Sequence, residues 1–162
     1  PAWLDAFLAC PACRGPVVRT GDGWSCAACP RSYPERLGLP DFRLEPDPFI
    51  SIEDEVAKAR RVLEGADGLG WRALVERYYA ITPENPPGLH RRYVRAMEAA
   101  VARGGGLLDR LEHRLDDAPD GALLDLGCGT CGLTVAAAGR WPRVVGVDVA
   151  LRWTVIGRRH AR

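Results

Sequence analysis

The chain has 162 residues and a mass of 17.7 kDa, a length that suits one ordinary domain or two small ones and excludes a large multidomain machine. Hydrophobic residues make up 47% of it and charged residues 27%, which is the composition of a globular protein and not of a disordered or collagenous one. The 22 basic and 21 acidic residues give a formal net charge of +1, which argues against a generally basic nucleic-acid binder.

The sequence shows no sign of a membrane or of a secretory route. No stretch approaches the roughly 20 consecutive apolar residues of a membrane-spanning helix, and the start of the chain lacks the basic region and long apolar core of a signal peptide. We therefore predict a cytoplasmic protein without a membrane partner. In a reducing cytosol, six cysteines indicate metal ligands or packed thiols and not a disulfide framework.

Residues 1–46 form the first predicted region, a small loop-rich module that holds four of the six cysteines. They form two pairs with two residues inside each: Cys10 with Cys13, and Cys26 with Cys29. Two short loops with two thiolates each are what a tetrahedral zinc site needs, and four thiolates leave no open position for a catalytic water. We predict structural zinc at these four residues. Two redox pairs or ordinary buried thiols are the alternative.

The sequence around these cysteines resembles a family of small zinc-ribbon proteins that bind and activate methyltransferases. LACPACRGPV is followed by CAACPRSYPERLGLPDF, in which Tyr33, Pro34, Gly38 and Pro40 match the YP, G and P pattern of that family. It is also similar to ribbons fused ahead of methyltransferase domains. The chain departs from many zinc knuckles at Pro30, where they have glycine. The resemblance implies a protein partner that binds through the ribbon.

Residues 47–118 form the second predicted region, a helical linker or cap that starts in the proline-rich stretch EPDP. Ser51 and Asp54 are placed like a capping pair at the start of its first helix. Further helices are predicted over residues 71–80, 91–101 and 107–115, separated by PENPPG and by three glycines at 104–106. The aromatic residues of this region are expected to pack it and not to line a pocket: Trp71, Tyr78, Tyr79 and Tyr93.

Residues 119–162 form the third predicted region, with the order strand, turn, helix, strand, helix. ALLDL at 122–126 and VVGVDV at 144–149 are short apolar runs, and the segments that follow them have helical patterns. The predicted fold class is therefore α/β. It combines an N-terminal zinc ribbon, a helical cap and the first βαβα part of a parallel sheet.

The turn after the first of these strands carries a GxGxxG array formed by Gly127, Gly129 and Gly132. Glycines there allow a tight turn and the close approach of a ligand, while the following helix offers free N–H groups. Asp148 lies 21 residues beyond Gly127, where a carboxylate can accept hydrogen bonds from the ribose of a nucleoside-containing cofactor. A tight strand-to-helix connection without any ligand is the plainer alternative.

The run LLDLGCGTCG, with VVGVD and ALRW after it, closely resembles the first two motifs of S-adenosylmethionine-dependent methyltransferases of the Rossmann-like class. The resemblance implies a Rossmann-like sheet and S-adenosylmethionine as cofactor, with the glycine loop beneath it, one acid near its amino-acid end and another on its ribose. The cofactor-binding residues it implies are Asp125, Gly127, Cys128, Gly129, Gly132 and Asp148. The chain departs from the family at Cys131, where glycine is common, and a Cβ crowds the loop if this position requires a positive φ.

Two further interpretations of this region compete. A nicotinamide-dependent oxidoreductase has a similar glycine array, but Asp125 and the ALRW continuation argue against it. Cys128 and Cys131 form a third CxxC pair, which we interpret as small apolar residues that pack the loop. A second zinc site or a redox pair is the alternative for these two thiols.

The resemblance implies methyl transfer from S-adenosylmethionine to an acceptor, a small molecule or RNA, with no catalytic residue assigned. By its position, the helical region is expected to form a cap over the cofactor. Two strands and no helix stop signal precede Arg162, so we expect a fragment of a longer enzyme that is inactive alone. The alternative function is a non-catalytic zinc-ribbon module that recruits a protein or ribosomal RNA and carries a vestigial cofactor domain.

Overall fold

The structure of the chain is a computed structural model, which describes residues 2–111, 114 and 121–160. The chain divides into two compact units, Pro1–Ile52 and Glu53–Arg162. The first holds an antiparallel sheet and the second holds helices and a parallel pair of strands, so the fold is mixed α/β. The boundary predicted after residue 46 lies shortly before the end of the first unit. The boundary predicted after residue 118 lies outside the described residues.

Four short strands form the curled antiparallel sheet of the first unit, in the order β1-β2-β3-β4. They are β1 (Val17–Arg19), β2 (Gly23–Cys26), β3 (Ser32–Arg36) and β4 (Leu39–Pro40), and a short helix, α1 (Ala2–Asp5), precedes them. Trp24 of β2 pairs with Tyr33 of β3. Because each strand pairs with the next one along the chain, local hairpins are sufficient to build this sheet.

The buried core of the first unit consists of few side chains. Trp24 and Tyr33 are almost fully buried, and Phe42 packs on both, with ring-centre distances of 5.7 and 4.7 Å. Cys10 and Val17 complete the core. An apolar core of this size stabilises so small a unit poorly, so the fold needs a further contribution.

The second unit begins with four helices: α2 (Ile52–Leu63), α3 (Trp71–Ala80), α4 (Pro87–Glu98) and α5 (Ala100–Leu111). The predicted bounds of α3 are confirmed. Helix α4 begins earlier than predicted, because Pro87 lies in its first turn, where the fixed φ of proline suits a helix and no N–H is needed. The predicted end of the last helix, at residue 115, lies outside the described residues. Among the described helices, none is long and apolar enough to cross a membrane.

The three glycines at 104–106 lie inside α5, so the prediction that they separate two helices is wrong. The reason is a tertiary contact with α6 (Gly132–Ala138), since a Cβ on Gly104 would lie 2.8 Å from the Cα of Leu133. In turn, a Cβ on Gly132 would lie 2.5 Å from the Cβ of Ala100. These two glycines let α5 and α6 pack backbone against backbone, which offsets the low helix propensity of glycine.

A parallel β-α-β unit completes the fold, formed by β5 (Ala122–Leu126), α6 and β6 (Arg143–Val147), with α7 (Leu151–Gly157) after it. The strands pair in parallel, from Ala122 with Arg143 to Leu126 with Val147. The predicted order of strand, turn, helix, strand and helix is confirmed. The second strand ends before the predicted position 149, because Asp148 accepts the backbone N–H groups of Gly129 and Ala150 and turns the chain.

The two faces of the parallel pair differ. On one face Asp125 and Gly146 are register partners and lie against Thr134 of α6. On the other face, three apolar strand residues are 42 to 75% exposed: Leu124, Leu126 and Val147. Because parallel sheets are normally covered on both faces, the described part of the chain leaves this sheet half covered.

Aromatic side chains pack α3 against both α7 and α4. The ring centres of Tyr78 and Trp153 lie 4.1 Å apart, and Tyr79 stacks on Tyr93 at 5.2 Å. The prediction that these tyrosines pack the helical region is therefore confirmed. Their contacts tie the helical region to the β-α-β unit, so residues 53–111 and 121–160 share one core.

A buried ion pair adds a polar contact between α2 and α7. Glu55 is 1% exposed and accepts hydrogen bonds from the backbone N–H of Arg152, at 2.8 Å, and from its guanidinium group. A buried carboxylate is costly unless it is paired and hydrogen bonded. The pair therefore specifies how α2 meets the first turn of α7.

Candidate metal centre and glycine-rich loop

The four paired cysteines of the first unit converge on one point. Their Sγ atoms all lie within 4.8 Å of one another, and the two closest pairs are Cys10 with Cys29 at 3.7 Å and Cys13 with Cys26 at 3.5 Å. Sulfurs placed tetrahedrally at about 2.3 Å from a zinc ion are separated by about 3.8 Å. The cluster therefore has the size and the donor atoms that a metal ion such as zinc requires.

Two matching turns hold these sulfurs in place. The N–H of Cys10 donates to the carbonyl of Gly15, and the N–H of Cys26 donates to the carbonyl of Arg31, both at 2.9 Å. Each turn also directs a backbone N–H at a sulfur atom: Gly15 at Cys13 (3.4 Å) and Ala28 at Cys26 (3.3 Å). Donors of this kind stabilise thiolates and orient metal ligands.

Pro30 does not disturb the second turn. In the first turn, Arg14 follows Cys13 with a left-handed φ of 62°. Proline follows Cys29 at the corresponding position and cannot adopt that conformation, because its ring fixes φ near −65°. The second turn nevertheless closes with the hydrogen bond from Cys26 to Arg31. The two turns therefore reach the same closure through different backbone conformations.

Tyr33 is a neighbour of the cluster that cysteine spacing alone does not reveal. Its hydroxyl lies 2.9 Å from the Sγ of Cys10, and both side chains are buried. Burial, together with the Cys10 sulfur, raises the pKa of Tyr33 to about 12, so the phenol stays protonated and donates to the sulfur. Burial opposes ionisation of Cys10, but this hydrogen bond and those from the backbone of Cys13 and Ala12 lower its pKa to about 6.

The charge of the cluster favours a bound cation. The N–H of Gly15 acts to lower the pKa of Cys13, but the thiols of Cys26 and Cys29 outweigh it and raise that pKa to about 12. Thiolates this close repel one another unless a positive ion lies between them. Full ionisation therefore goes with metal binding, and four sulfur ligands leave no coordination position for a substrate.

The glycine-rich loop follows β5 in the second unit. Gly127 has a φ of 75° and Gly129 a φ of 52°, which glycine adopts without strain. The N–H groups of Gly127 and Cys128 both donate to the carbonyl of Val147, at 2.9 and 3.0 Å, so the loop is held at the end of β6. A Cβ on either glycine would meet no atom within 4 Å. The loop therefore leaves free space beside its backbone.

Asp148 joins this loop to the segment after β6. Its Oδ2 accepts the N–H of Gly129 and its Oδ1 accepts the N–H of Ala150, both at 2.8 Å. Each carboxylate oxygen has a second lone pair, so both can accept from a further donor. Asp148 and the glycine loop thus meet at the carboxyl ends of two parallel strands, where open α/β sheets bind ligands.

Asp125 lies on the covered face of the sheet and is 7% exposed. Its Oδ2 accepts a hydrogen bond of 2.6 Å from the hydroxyl of Thr134, which fixes α6 to β5. Sequence reasoning missed Thr134, although a hydroxyl in the first turn of an otherwise apolar helix was a signal for such a bond. The carboxylate of Asp125 is engaged with α6, and its contact with a cofactor stays a prediction.

The helical region borders the glycine loop. Thr130 of the loop contacts Met97 at the end of α4, with Oγ1 and Sδ 3.8 Å apart, and Gly132 packs on Ala100 of α5. Close helix packing is also the purpose of the third glycine in nucleotide-binding loops. The helical region therefore contacts the loop at Thr130 and Gly132, and its role as a cap over a cofactor stays a prediction.

The two cysteines of the loop lie side by side, with their Sγ atoms 3.8 Å apart. Cys131 has a φ of 63°, so this position is left-handed and its Cβ carries the strain that glycine would avoid. The contact with Cys131 and burial raise the pKa of Cys128, whereas the hydrogen bond between the two thiols lowers the pKa of Cys131. Among the described residues, no third metal-binding side chain joins this pair.

No protein-family model matches the chain, and no curated protein sequence is similar enough to count as a relative. The likeness to methyltransferases and to zinc ribbons rests on the motifs of this chain alone and stays a prediction. The geometry of the cysteine cluster and of the glycine loop is therefore the ground for a functional proposal.

Proposed function

We propose that the chain is the cofactor-binding part of an S-adenosylmethionine-dependent methyltransferase with an N-terminal zinc ribbon. One observation carries the proposal: Asp148 bonds the backbone of the glycine loop, next to Gly127 and Gly129, which leave free space at their Cα atoms. An open loop beside a carboxylate that can still accept hydrogen bonds suits a nucleoside-containing cofactor. The motif likeness to methyltransferases selects S-adenosylmethionine over a nicotinamide cofactor.

In this proposal the residues of the chain bind and orient the cofactor. Gly127 and Gly129 admit it close to the backbone, and Asp148 accepts hydrogen bonds from its ribose hydroxyls. When bound, the cofactor supplies an electrophilic methyl group. Helices α4 and α5 border the loop at Thr130 and Gly132 and would exclude water beside it. Alignment and water exclusion can account for most of the acceleration of such a transfer.

The half-covered parallel sheet supports the placement of these residues in a larger domain. The exposed face formed by Leu124, Leu126 and Val147 is apolar, and further elements of a Rossmann-like sheet would bury it. The methyl acceptor in this proposal is a small molecule or an RNA. No side chain is assigned as a catalytic base.

The metal proposed for the ribbon is zinc in a structural role. Four sulfur donors within 4.8 Å of one another favour zinc, and a bound metal would add stability to the small apolar core of the first unit. A protein partner that binds through the ribbon is part of the same proposal.

Titration calorimetry of the zinc-loaded chain with S-adenosylmethionine, and separately with NAD, tests the cofactor proposal. We expect S-adenosylmethionine to bind and NAD not to bind. Asp148→Asn replaces one of the two side-chain oxygens that accept backbone N–H groups and removes the negative charge that holds the ribose. The dissociation constant should therefore rise about tenfold or more, which is a loss of about 1.4 kcal/mol in binding free energy. Asp67→Asn is the matched control, because Asp67 is an exposed acid outside the loop and should leave the affinity unchanged.

Binding of NAD alone would favour an oxidoreductase. A folded, zinc-loaded chain that binds neither compound would favour the binding-module alternative, in which the ribbon recruits a protein or ribosomal RNA and the second unit is vestigial. Thermal unfolding of each variant shows whether a loss of affinity is a loss of fold.

A further inference from the structure

We propose that Cys128 and Cys131 form a reversible disulfide that switches the conformation of the glycine-rich loop. The final consequence, control of cofactor affinity, rests on the function proposed above. Formation of the disulfide and the response of the loop rest on the geometry of the two thiols alone.

The backbone already brings the two cysteines within disulfide range. The N–H of Cys131 donates to the carbonyl of Cys128 at 2.8 Å, which closes a β-turn and keeps the two Cα atoms within about 7 Å. Disulfides usually join Cα atoms about 4.4 to 6.8 Å apart. The sulfurs are 3.8 Å apart and reduced, and a bond requires them to approach to about 2.05 Å. Side-chain rotation with a small loop shift can supply this approach.

The surroundings assign different roles to the two thiols. Cys131 is partly exposed, and the hydrogen bond between the two thiols lowers its pKa. Cys128 is buried, and its pKa is raised. Cys131 is thus the more exposed of the two thiols and the one that ionises first, and we assign it the attack on the oxidant. Cys128 is the resolving thiol.

The oxidant in this proposal is a small-molecule disulfide such as glutathione disulfide. The Cys131 thiolate attacks one of its sulfurs, so a mixed disulfide forms and one glutathione thiolate leaves. Cys128 then loses its proton and attacks the Cys131 sulfur, which releases the second glutathione. Two protein thiols and one glutathione disulfide become one protein disulfide and two glutathione thiols, and reduced glutathione reverses the exchange.

The bond disturbs contacts that hold the loop. The Cys131 sulfur occupies the place where a Cβ on Gly157 of α7 would lie, and the Cys128 sulfur faces Gly146 of β6, 3.1 Å from an ideal Cβ there. When the sulfurs approach each other, at least one of them leaves its place. Because Cys128 precedes Gly129, the shift reaches the hydrogen bond between the Gly129 N–H and Asp148.

The sequence offers a convenient assay for the disulfide. Trypsin cleaves after Arg114 and Arg140, so the peptide 115–140 contains Cys128 and Cys131 and none of the four ribbon cysteines. The zinc-loaded chain is equilibrated in glutathione buffers of increasing oxidised fraction, trapped with N-ethylmaleimide and digested. We expect this peptide to change from doubly alkylated to unalkylated and about 2 Da lighter than the free dithiol, because two hydrogens are lost.

Hydrogen exchange of the backbone amides tests the switch without any cofactor. In the oxidised chain, amides of residues 127–132 should exchange roughly fivefold faster or more, because the bond to Asp148 is weakened. Cys131→Ser and Cys128→Ser should each abolish both the disulfide and the response of exchange to oxidant. The dissociation constant of S-adenosylmethionine should rise about tenfold on oxidation.

A peptide 115–140 that stays reduced in the most oxidising buffer would overturn the proposal, as would a disulfide that leaves exchange in the loop unchanged. A reduced chain that does not bind S-adenosylmethionine would count against the proposed function. In that case, a disulfide accompanied by faster exchange still supports the switch.

Discussion

The two units of the chain use the same cysteine spacing for different purposes. In the first unit two CxxC pairs meet face to face, and the apolar core around them is small. In the second unit a single CxxC pair lies among packed residues, where Cys128 and Cys131 adjoin glycines of neighbouring elements. The difference teaches that CxxC spacing alone does not define a metal site. A second pair must lie within reach of the first.

The two units also differ in what holds them together. The first has only a few buried side chains, which stabilise so small a unit poorly, beside four thiols that could hold a metal ion. The second depends on apolar side chains, backbone contacts between α5 and α6 and one buried ion pair. Removal of the metal should therefore affect the first unit. Changes to the buried ion pair, to the helix glycines or to the protonation of His160 should affect the second.

Metal removal should have the largest effect and should be confined to the first unit. Binding of structural zinc contributes on the order of 10 kcal/mol to folding, so chelation or Cys26→Ser should unfold the ribbon. We expect about one zinc per chain by elemental analysis. In NMR spectra the dispersed amide signals of residues 10–42 should collapse while those of α2 to α7 persist. Cys128→Ser, which lies outside the cluster, should retain the metal. A metal-free chain with an intact ribbon spectrum would contradict this expectation.

Loss of the buried ion pair should have the next largest effect and should be confined to the second unit. Glu55→Gln leaves the Arg152 guanidinium without a counter-charge next to a buried amide, which should cost about 3 kcal/mol. Urea unfolding, followed through signals of the second unit, measures this loss. Glu53→Gln is the control on the same helix, because Glu53 is exposed and its change should stay within about 0.5 kcal/mol. Equal effects of the two changes would argue against the ion pair.

One glycine of α6 and one of α5 should respond to alanine substitution in opposite directions. Gly132→Ala places a methyl group against the backbone of Ala100 and should destabilise the second unit by about 1 to 3 kcal/mol. Gly105 lies in α5, where an added Cβ meets no atom within 4 Å. Gly105→Ala should therefore stabilise the second unit by about 0.5 to 1 kcal/mol, because alanine has the higher helix propensity. Thermal unfolding of both variants measures these two changes in stability. A stabilising Gly132→Ala would disprove the close packing of α5 on α6.

The smallest expected effect is a pH dependence from His160, which packs on Trp71 with ring centres 4.3 Å apart. Burial lowers the pKa of His160, so the unfolded chain binds a proton more readily than the folded one. Its contribution to stability is present above the unfolded pKa of about 6.5 and is lost as the pH falls through that value. Thermal midpoints measured from about pH 7 to about pH 5 should fall less in His160→Gln than in the unchanged chain. Thermal midpoints that fall equally with pH in both proteins would exclude His160 as the source of the pH dependence.

Local patterns of the sequence predicted a good part of this molecule. The two CxxC pairs predicted the cluster of sulfurs, because each short loop presents two thiols and small hairpins bring the loops together. The bounds of α3 and the order of β5, α6, β6 and α7 followed from apolar periodicity. These features depend on neighbours along the chain, so the sequence displays them directly.

Contacts between distant residues decided the rest. Glycines 104 to 106 were predicted to end a helix but lie inside α5, because Gly104 lies against α6 from a later part of the chain. The hydrogen bond of Thr134 to Asp125, that of Tyr33 to Cys10 and the ion pair of Glu55 with Arg152 likewise join residues that no short motif contains.

By itself the sequence determined the bounds of α3, the order of the β-α-β unit, the four clustered thiols and the placement of a glycine loop before an acid. It could do so because spacing, turn preference and apolar period are properties of short segments. Only the tertiary structure decided that Cys128 and Cys131 contact each other, with no third metal-binding side chain among the described residues, and that Asp148 holds the loop while Asp125 holds a helix. The physical reason is that burial and hydrogen-bond partners are set by the packing of elements far apart in the chain.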